Sequence, residues 1–290
     1  CHTPPTFDAD LEAAWRERLR PYYTELGLDP DAPVTRSNRT PFDQEACALV
    51  EDLRPEVVSF HFGLPEQHLV DRVRATGAII LSTATTVPEA RWLEDHGCDA
   101  IIAQGAEAGG HRGMFLTDDI ATQLGTFALV PQVVDAVRVP VIAAGGIADA
   151  RGIVAALALG AAGVQIGTAY LFTPEARLAV PHREALSSER VRETALTNIF
   201  TGRPARGILN RLMREVGPMT DVAPPFPLAG GALAPLRAAT EGMGSGDFMS
   251  LWSGQSAALC RQATAGELTR RLASEAMALL EHGISRTRPG

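Results

Sequence analysis

Between residues 55 and 171 short apolar runs alternate with amphipathic stretches, and that alternation restricts the chain to a parallel α/β architecture. The runs are "VVSFHFG" (57–63), "AIILSTATT" (78–86), "DAIIAQG" (99–105), "VPVIAAGGI" (139–147) and "GVQIGTAYL" (163–171). They are short, continuous and rich in β-branched residues, as strands buried on both faces of a parallel sheet are. Helical periodicity predicts helices near 65–75, 87–96, 128–137 and 150–160. Right-handed crossovers then connect neighbouring strands.

An open doubly wound sheet and a closed (β/α)8 barrel both carry this pattern. No strand is followed by G-x-G-x-x-G with an acidic residue about 20 positions later, which weakens a dinucleotide-binding reading. The last two units instead end in "AAGG" and "QIGT", with glycines where a barrel holds phosphate after its final two strands. The expected fold is therefore α/β, of the TIM (β/α)8 barrel type. Five strands are visible, so we expect the first two and most of a third to lie upstream of Cys1, as in a barrel truncated at its N-terminus. An acylated Cys1 is the rival reading, but "HTPPTFDADLEAAW" turns helical too soon for a lipoprotein tether.

Helices are also predicted over residues 9–26 and 41–53. After residue 175 the alternation stops, and 176–200 and 203–216 have helical character. A proline-rich stretch and an amphipathic helix at 266–282 follow. The expected division is a barrel over 1–175, a helical substrate or cap region over 176–265, and a C-terminal segment, 266–290, packing back on the barrel.

The chain has no lysine, so all 26 basic residues are arginine. That removes Schiff-base chemistry and the P-loop lysine, and leaves amides, hydroxyls and arginines to hold any phosphate. A net charge of −8 argues against nucleic acid or an anionic membrane as partner. No apolar run approaches the roughly 20 residues of a membrane span. Cys1, Cys47, Cys98 and Cys260 are scattered without a C-x-x-C pair, which fits a cytoplasmic protein with neither a disulfide framework nor a zinc site. A homodimer is left open.

The chemistry concentrates at strand ends. Gly145 and Gly146 can present bare amides to an anion, with Asp149 as cap of the next helix. Gly167 and Thr168 add amides and a hydroxyl. Tight strand–helix turns are the bland explanation of the same glycines. One unit earlier, "QGAEAGGHRG" (104–113) places Gln104 at the rim and His111 behind Gly109 and Gly110. The two glycines could let a planar ring lie against backbone. His111 would project with a pKa near neutrality, suited to proton transfer.

Other candidates are weaker. His61 could reach the same mouth or be a rim histidine, whereas His68, His96, His182 and His282 read as surface. Asp118–Asp119 reads as a solvated turn and no metal site is expected. Arg203, Arg206, Asn210 and Arg211 could bind an anionic substrate, or serve in capping and surface pairing.

"SFHFGLP", "QGAEAGGHRG", "VPVIAAGGIADARG", "GVQIGTAYL" and "TGRPARG…NR", in this order, resemble the nitronate monooxygenase family, formerly called 2-nitropropane dioxygenases. The resemblance runs from about residue 1 to residue 280. It implies an FMN-bound TIM barrel with a helical substrate domain that oxidises alkyl nitronates, such as propionate 3-nitronate, with O2 to a carbonyl compound and nitrite. It further implies FMN contacts at Gln104, Gly109, Gly146, Gln165, Ile166, Gly167 and Thr168, joined by Gly110 and Gly145, and a catalytic role for His111. "LWSGQ", with Trp252 and Gln255, is similar to the family's late segment at the mouth. Thr173 and Ala176 in "LFTPEA" stand where many members have a cysteine and a serine, a difference that bears on substrate preference. Related barrels with a similar loop reduce quinones or enoyl thioesters with NAD(P)H, which is the alternative activity. A fragment without activity is the alternative outside enzymology.

Overall fold

The computed structural model describes residues 1, 3–34, 37 and 39–282. Helix α1 (Ala9–Glu25) starts where the Asp8 carboxylate accepts the amides of Asp10 and Leu11, each at 3.0 Å. Asp43 caps α2 (Gln44–Leu53) in the same way. Along the chain then come β1 (Val57–Phe60), α3 (Gln67–Ala75), β2 (Ile79–Ala84), α4 (Val87–Asp95), β3 (Ala100–Gln104) and the two-residue β4 (Gly110–His111). They are followed by α5 (Thr126–Ala136), β5 (Val141–Ala144), α6 (Ala150–Ala158) and β6 (Gly163–Gln165).

The five predicted strands form one parallel sheet in the order β1-β2-β3-β5-β6, an arc of the expected barrel type. Its inner residues Ile80, Ile101 and Ala143 are fully buried, and Val70, Leu93, Leu129 and Val133 of the covering helices pack into the same core. Burying such aliphatic side chains contributes about 1.5–3 kcal/mol each. The register matters for the site: Gln104 lies opposite Ala144, and Ala144 opposite Gln165. The three chain segments that follow therefore leave the sheet side by side, on one rim.

The remaining elements are α7 (Val180–Leu186), β7 (Thr194–Thr197), β8 (Ala205–Ile208), α8 (Arg211–Val216), α9 (Gly230–Glu241) and α10 (Ala265–His282). This corrects the helical expectation for 176–200 and 203–216, each of which contains a strand. β8 pairs antiparallel with β7 on one side and with β4 on the other. Long-range pairing decides here. Gly207 lies so near the 251–252 backbone that a Cβ would meet the Leu251 carbonyl oxygen at 2.9 Å. No local periodicity reveals such a neighbour.

Trp15 and Leu19 of α1 are buried with Ile199, Leu212 and Leu233, in a second core shared with the segment beyond residue 176. On the other side α10 packs against α6, with Ala276 and Leu279 meeting Ala150, Ile153 and Val154. Among the described residues no helix is long and apolar enough to cross a membrane.

Candidate active site

The aligned ends of β3, β5 and β6 open into a cleft lined by Gln104, Glu107, Gly109, Gly145, Gly146, Gln165, Gly167, Thr168, Gly254 and Ser256. Gly145 and Gly146 have φ of 105° and 72°, a conformation that side-chain-bearing residues avoid. Asp149 caps α6 just beyond, accepting the amides of Arg151 and Gly152. A Cβ on Gly167 would meet nothing within 4 Å, so this glycine borders open space. The Thr168 hydroxyl accepts the Gly254 amide at 2.9 Å and ties the late segment to the cleft edge. Among the described residues no arginine lines it. Amides and hydroxyls are the groups with which such a cleft can take a phosphate, and the approach to Gly167 is clear of other atoms. Ile166 does not line the cleft, and its side chain packs into the core.

Glu107 also faces the cleft, yet its charge is engaged elsewhere. Both carboxylate oxygens accept the Thr126 amide at 3.0 and 2.8 Å, and one accepts the Thr126 hydroxyl at 2.9 Å. This fixes the first turn of α5, where the helix dipole favours an anion.

The loop from 104 to 113 is braced from inside. The Gln104 side chain donates to the His111 carbonyl at 3.0 Å and accepts the Gly113 amide at 2.8 Å. The donor and acceptor expected to be free at the rim both hold the loop. Arg112 is fully buried and bonds to Gln123 Oε1 and to the carbonyls of Gly105 and Gln104, at 2.8, 2.8 and 2.7 Å. Arg206 Nε donates to the next carbonyl, Ala106, at 2.8 Å. Burial lowers the Arg112 pKa to about 10, and the guanidinium remains charged. Of the two glycines, Gly109 differs from the expectation. A Cβ on Gly109 would sit 2.5 Å from the Gly254 amide nitrogen, so Gly109 admits the 253–254 backbone rather than a ring. Gly110, at φ 75°, has open space before it.

His111 lies in β4 inside an aromatic box. Its ring centroid is 5.9 Å from Phe62, 5.5 Å from Phe226 and 5.5 Å from Trp252. Its Nε2 is 2.9 Å from the Thr201 hydroxyl. Phe62 holds its place at φ 65°, left-handed backbone that a non-glycine residue adopts only when its surroundings enforce it. Burial, aided by nearby His61, Arg39 and Arg203, pushes the His111 pKa down to about 4. The expected near-neutral value is thereby corrected: desolvation keeps this imidazole uncharged. His61 bonds through Nδ1 to the Thr83 hydroxyl at 3.1 Å and through Nε2 to the His111 carbonyl at 3.3 Å. Burial lowers its pKa to about 4 as well.

Trp252 belongs to this box, whereas Gln255 is exposed and meets the site only through its amide, bonded to the Glu107 carbonyl at 3.0 Å. His182, expected at the surface, is buried with Nε2 3.0 Å from the Trp252 carbonyl. That contact couples α7 to the box across 70 residues. His96 is half-buried and stacks on Trp92, while His68 and His282 are exposed. Of the four polar candidates near β8, Asn210 caps α8 through the Met213 amide, and Arg211 pairs with Glu25 and Glu215. Arg206 braces the loop. Arg203 alone adjoins the box, its guanidinium 4.0 Å from the Phe62 ring centre. Thr173 is buried with its hydroxyl on the Tyr170 carbonyl, and Asp119 caps a 3-10 turn. Among the described residues no group of three or more His, Cys, Asp or Glu could hold a metal.

Sequence reasoning passed over Phe62, Arg112, Thr201 and Phe226. Phe62 stands within a quoted strand and Arg112 directly after His111, so both were within reach of inspection. Thr201 opens the quoted "TGRPARG" although it lies 90 residues beyond His111, whereas Phe226, 115 residues beyond it in irregular chain, carries no local signal.

A family model described as nitronate monooxygenase matches residues 8–275. The nitronate monooxygenase of Pseudomonas aeruginosa is 42% identical over 279 residues, covering 95% of this chain and 79% of the relative. A probable nitronate monooxygenase of Staphylococcus saprophyticus is 38% identical over 91% of this chain and 73% of its own length. Among solved structures, the nitroalkane oxidase of Streptomyces ansochromogenes superposes with a TM-score of 0.85 at 37% identity, over 96% of this chain and 80% of that one. FabK from Thermotoga maritima superposes with a TM-score of 0.65 at 26% identity, over 94% and 89% respectively.

Proposed function

The chain belongs to the nitronate monooxygenase family, and from that premise we propose that it oxidises alkyl nitronates with O2, to a carbonyl compound and nitrite, using FMN. One observation carries the reading: an uncharged histidine in an aromatic box beside a glycine-lined cleft. The flavin, when bound, supplies the electron acceptor and the reactivity towards O2. Everything else falls to the residues described above.

Gly146, Gly167 and Thr168 would hold the FMN phosphate through amides and a hydroxyl, with Gln104, Gly109, Gly145 and Gln165 lining that side of the cleft and Gly110 and Ile166 adjoining them in the chain. Phe62, Phe226 and Trp252 wall the imidazole and position an alkyl chain. His111, uncharged above about pH 4, can take the α-proton of a nitroalkane and, once protonated, pair with the nitronate so formed. Arg203 and Arg39, over the rings of Phe62 and Phe226, make the surroundings positive and attract an anionic substrate. His61 borders the same space through its bond to the His111 carbonyl. The four free cysteines support a cytoplasmic location.

The test is O2 uptake and nitrite release by the flavin-loaded protein with alkyl nitronates, before and after His111→Ala. About a hundredfold loss or more is expected with the parent nitroalkane, the usual weight of a positioned acid–base group, and a smaller loss with the preformed nitronate. Protein that cannot be loaded with FMN, or that releases no nitrite while NADPH bleaches its flavin under anaerobic conditions, would overturn the reading.

A further inference from the structure

The Thr201 hydroxyl has one proton and two neighbours that could receive it. One is His111 Nε2 at 2.9 Å, the other the Arg203 carbonyl at 3.3 Å. A carbonyl can only accept. If the proton goes to Arg203, the hydroxyl lone pair faces Nε2, which must then carry hydrogen. In the opposite arrangement the Arg203 carbonyl loses its donor, whereas Nδ1 of His111 has no partner among the described residues in either arrangement. Leaving that carbonyl unpaired is unfavourable. Nor is Nδ1 sealed in: among the described residues Arg203 Nε is the buried side-chain polar atom without a partner. The free ring nitrogen is thus reachable from outside the protein matrix.

The rest of the histidine is also held. Its backbone carbonyl accepts from Gln104 Nε2 at 3.0 Å and from His61 Nε2 at 3.3 Å. His61 is itself confined to the Nε2–H form, since a carbonyl faces that nitrogen and the Thr83 hydroxyl faces Nδ1. The charged or titratable groups around the ring are His61, Arg39 and Arg203, and none of them is a carboxylate that could take Nδ1–H instead.

We propose that Thr201 is a positioning residue that holds His111 as its Nε2–H tautomer and leaves Nδ1 to accept the substrate proton. This rests on the reading of His111 as the base. In the step implied, the Cα–H bond of a nitroalkane breaks, its proton passes to Nδ1, and its electron pair stays on the substrate as the nitronate. The imidazolium keeps its Nε2–H bond to Thr201 throughout.

Two-dimensional 1H–15N spectra of the full, flavin-loaded chain labelled at histidine nitrogens decide the tautomer, with the His111 signals assigned by their loss in His111→Asn. Nε2–H is expected in the unmodified protein and in Thr201→Ser, and a shift towards Nδ1–H in Thr201→Val. With a neutral nitroalkane, kcat/KM of Thr201→Val should fall about 10- to 100-fold, mostly in kcat, with the acid limb of its pH profile displaced. With a preformed nitronate the loss should be smaller, since no proton is then removed, and Thr201→Ser should restore both. An Nδ1–H signal in the unmodified protein sinks the proposal, as does Thr201→Val with an unchanged tautomer and pH profile. If Thr201→Val does not fold, the tautomer of the unmodified chain still decides. Full turnover in His111→Ala alongside the expected tautomer would refute the base, not the assignment of its protons.

Discussion

Arg112 Nη2 donates to the Gln104 carbonyl at 2.7 Å, so the loop carrying His111 is closed on itself by a buried cation eight residues further along the chain. Two more carbonyl groups of this region, those of Gly105 and the Gln123 side chain, depend on the same guanidinium. A planar fork meets each of the three from a different nitrogen, Nε, Nη1 and Nη2, a spread that an ammonium, with its donors on one nitrogen, does not match.

Arg112→Met should therefore destabilise the fold by about 2–4 kcal/mol, since charge-assisted bonds contribute roughly 1.5–3 each and do not simply add. Arg112→Lys should recover only part of the loss. Urea unfolding monitored by circular dichroism checks both, and a change under 1 kcal/mol in the Met variant would show that the loop stands without its brace.

The glycines of the loop should separate by mechanism. Gly109→Ala puts a methyl against the Gly254 amide nitrogen at 2.5 Å, where backbone must move, at a cost of about 1–3 kcal/mol. Gly110→Ala meets no neighbour and suffers only from its φ of 75°, about 1–2 kcal/mol. Because the 253–254 segment borders the cleft, Gly109→Ala should also lower flavin content, measured from the visible spectrum. Equal flavin loss in both variants would contradict this division.

Gly167→Ala offers a cleaner probe of the cleft. Its φ of −103° suits alanine, and the new methyl would project into open space. Stability should stay within about 0.5 kcal/mol, while FMN affinity should fall if a phosphate uses that space. Unchanged affinity on fluorescence titration would remove Gly167 from the phosphate site.

Acid should weaken the fold through the two boxed histidines. His61 and His111 both have pKa values pushed down to about 4 from the ordinary 6.5, chiefly by burial. Between those limits the unfolded chain binds protons that the folded chain does not. Stability is then complete above about pH 6.5 and declines as pH falls towards 4, by at most about 3 kcal/mol per ring. The two rings are neighbours, so their contributions are not independent. His61→Asn/His111→Asn should flatten the dependence, as read from urea midpoints at pH 4.5 and 7; an equally steep decline would assign it to other groups.

The strand–helix alternation and the glycines at strand ends were legible from the sequence, because both are local. A buried parallel strand needs a continuous apolar run, and a phosphate turn needs its glycines within two or three residues of the strand end. Hence the five strands, their order and the group Gly146, Gly167 and Thr168 could be named before any coordinate. What surrounds His111 could not. Its box unites Phe62, Thr201, Phe226 and Trp252, which stand 49 residues before it and 90, 115 and 141 residues after it. The strand β8 that supports it looks helical by periodicity alone. Tertiary packing also decided the state of the ring, because a pKa follows desolvation, and desolvation depends on neighbours from distant parts of the chain. Local pattern alone marked His111 as a loop histidine just beyond a strand end. Only the fold decided that its imidazole is uncharged, that Gly109 clears room for backbone, and which ring nitrogen is left free.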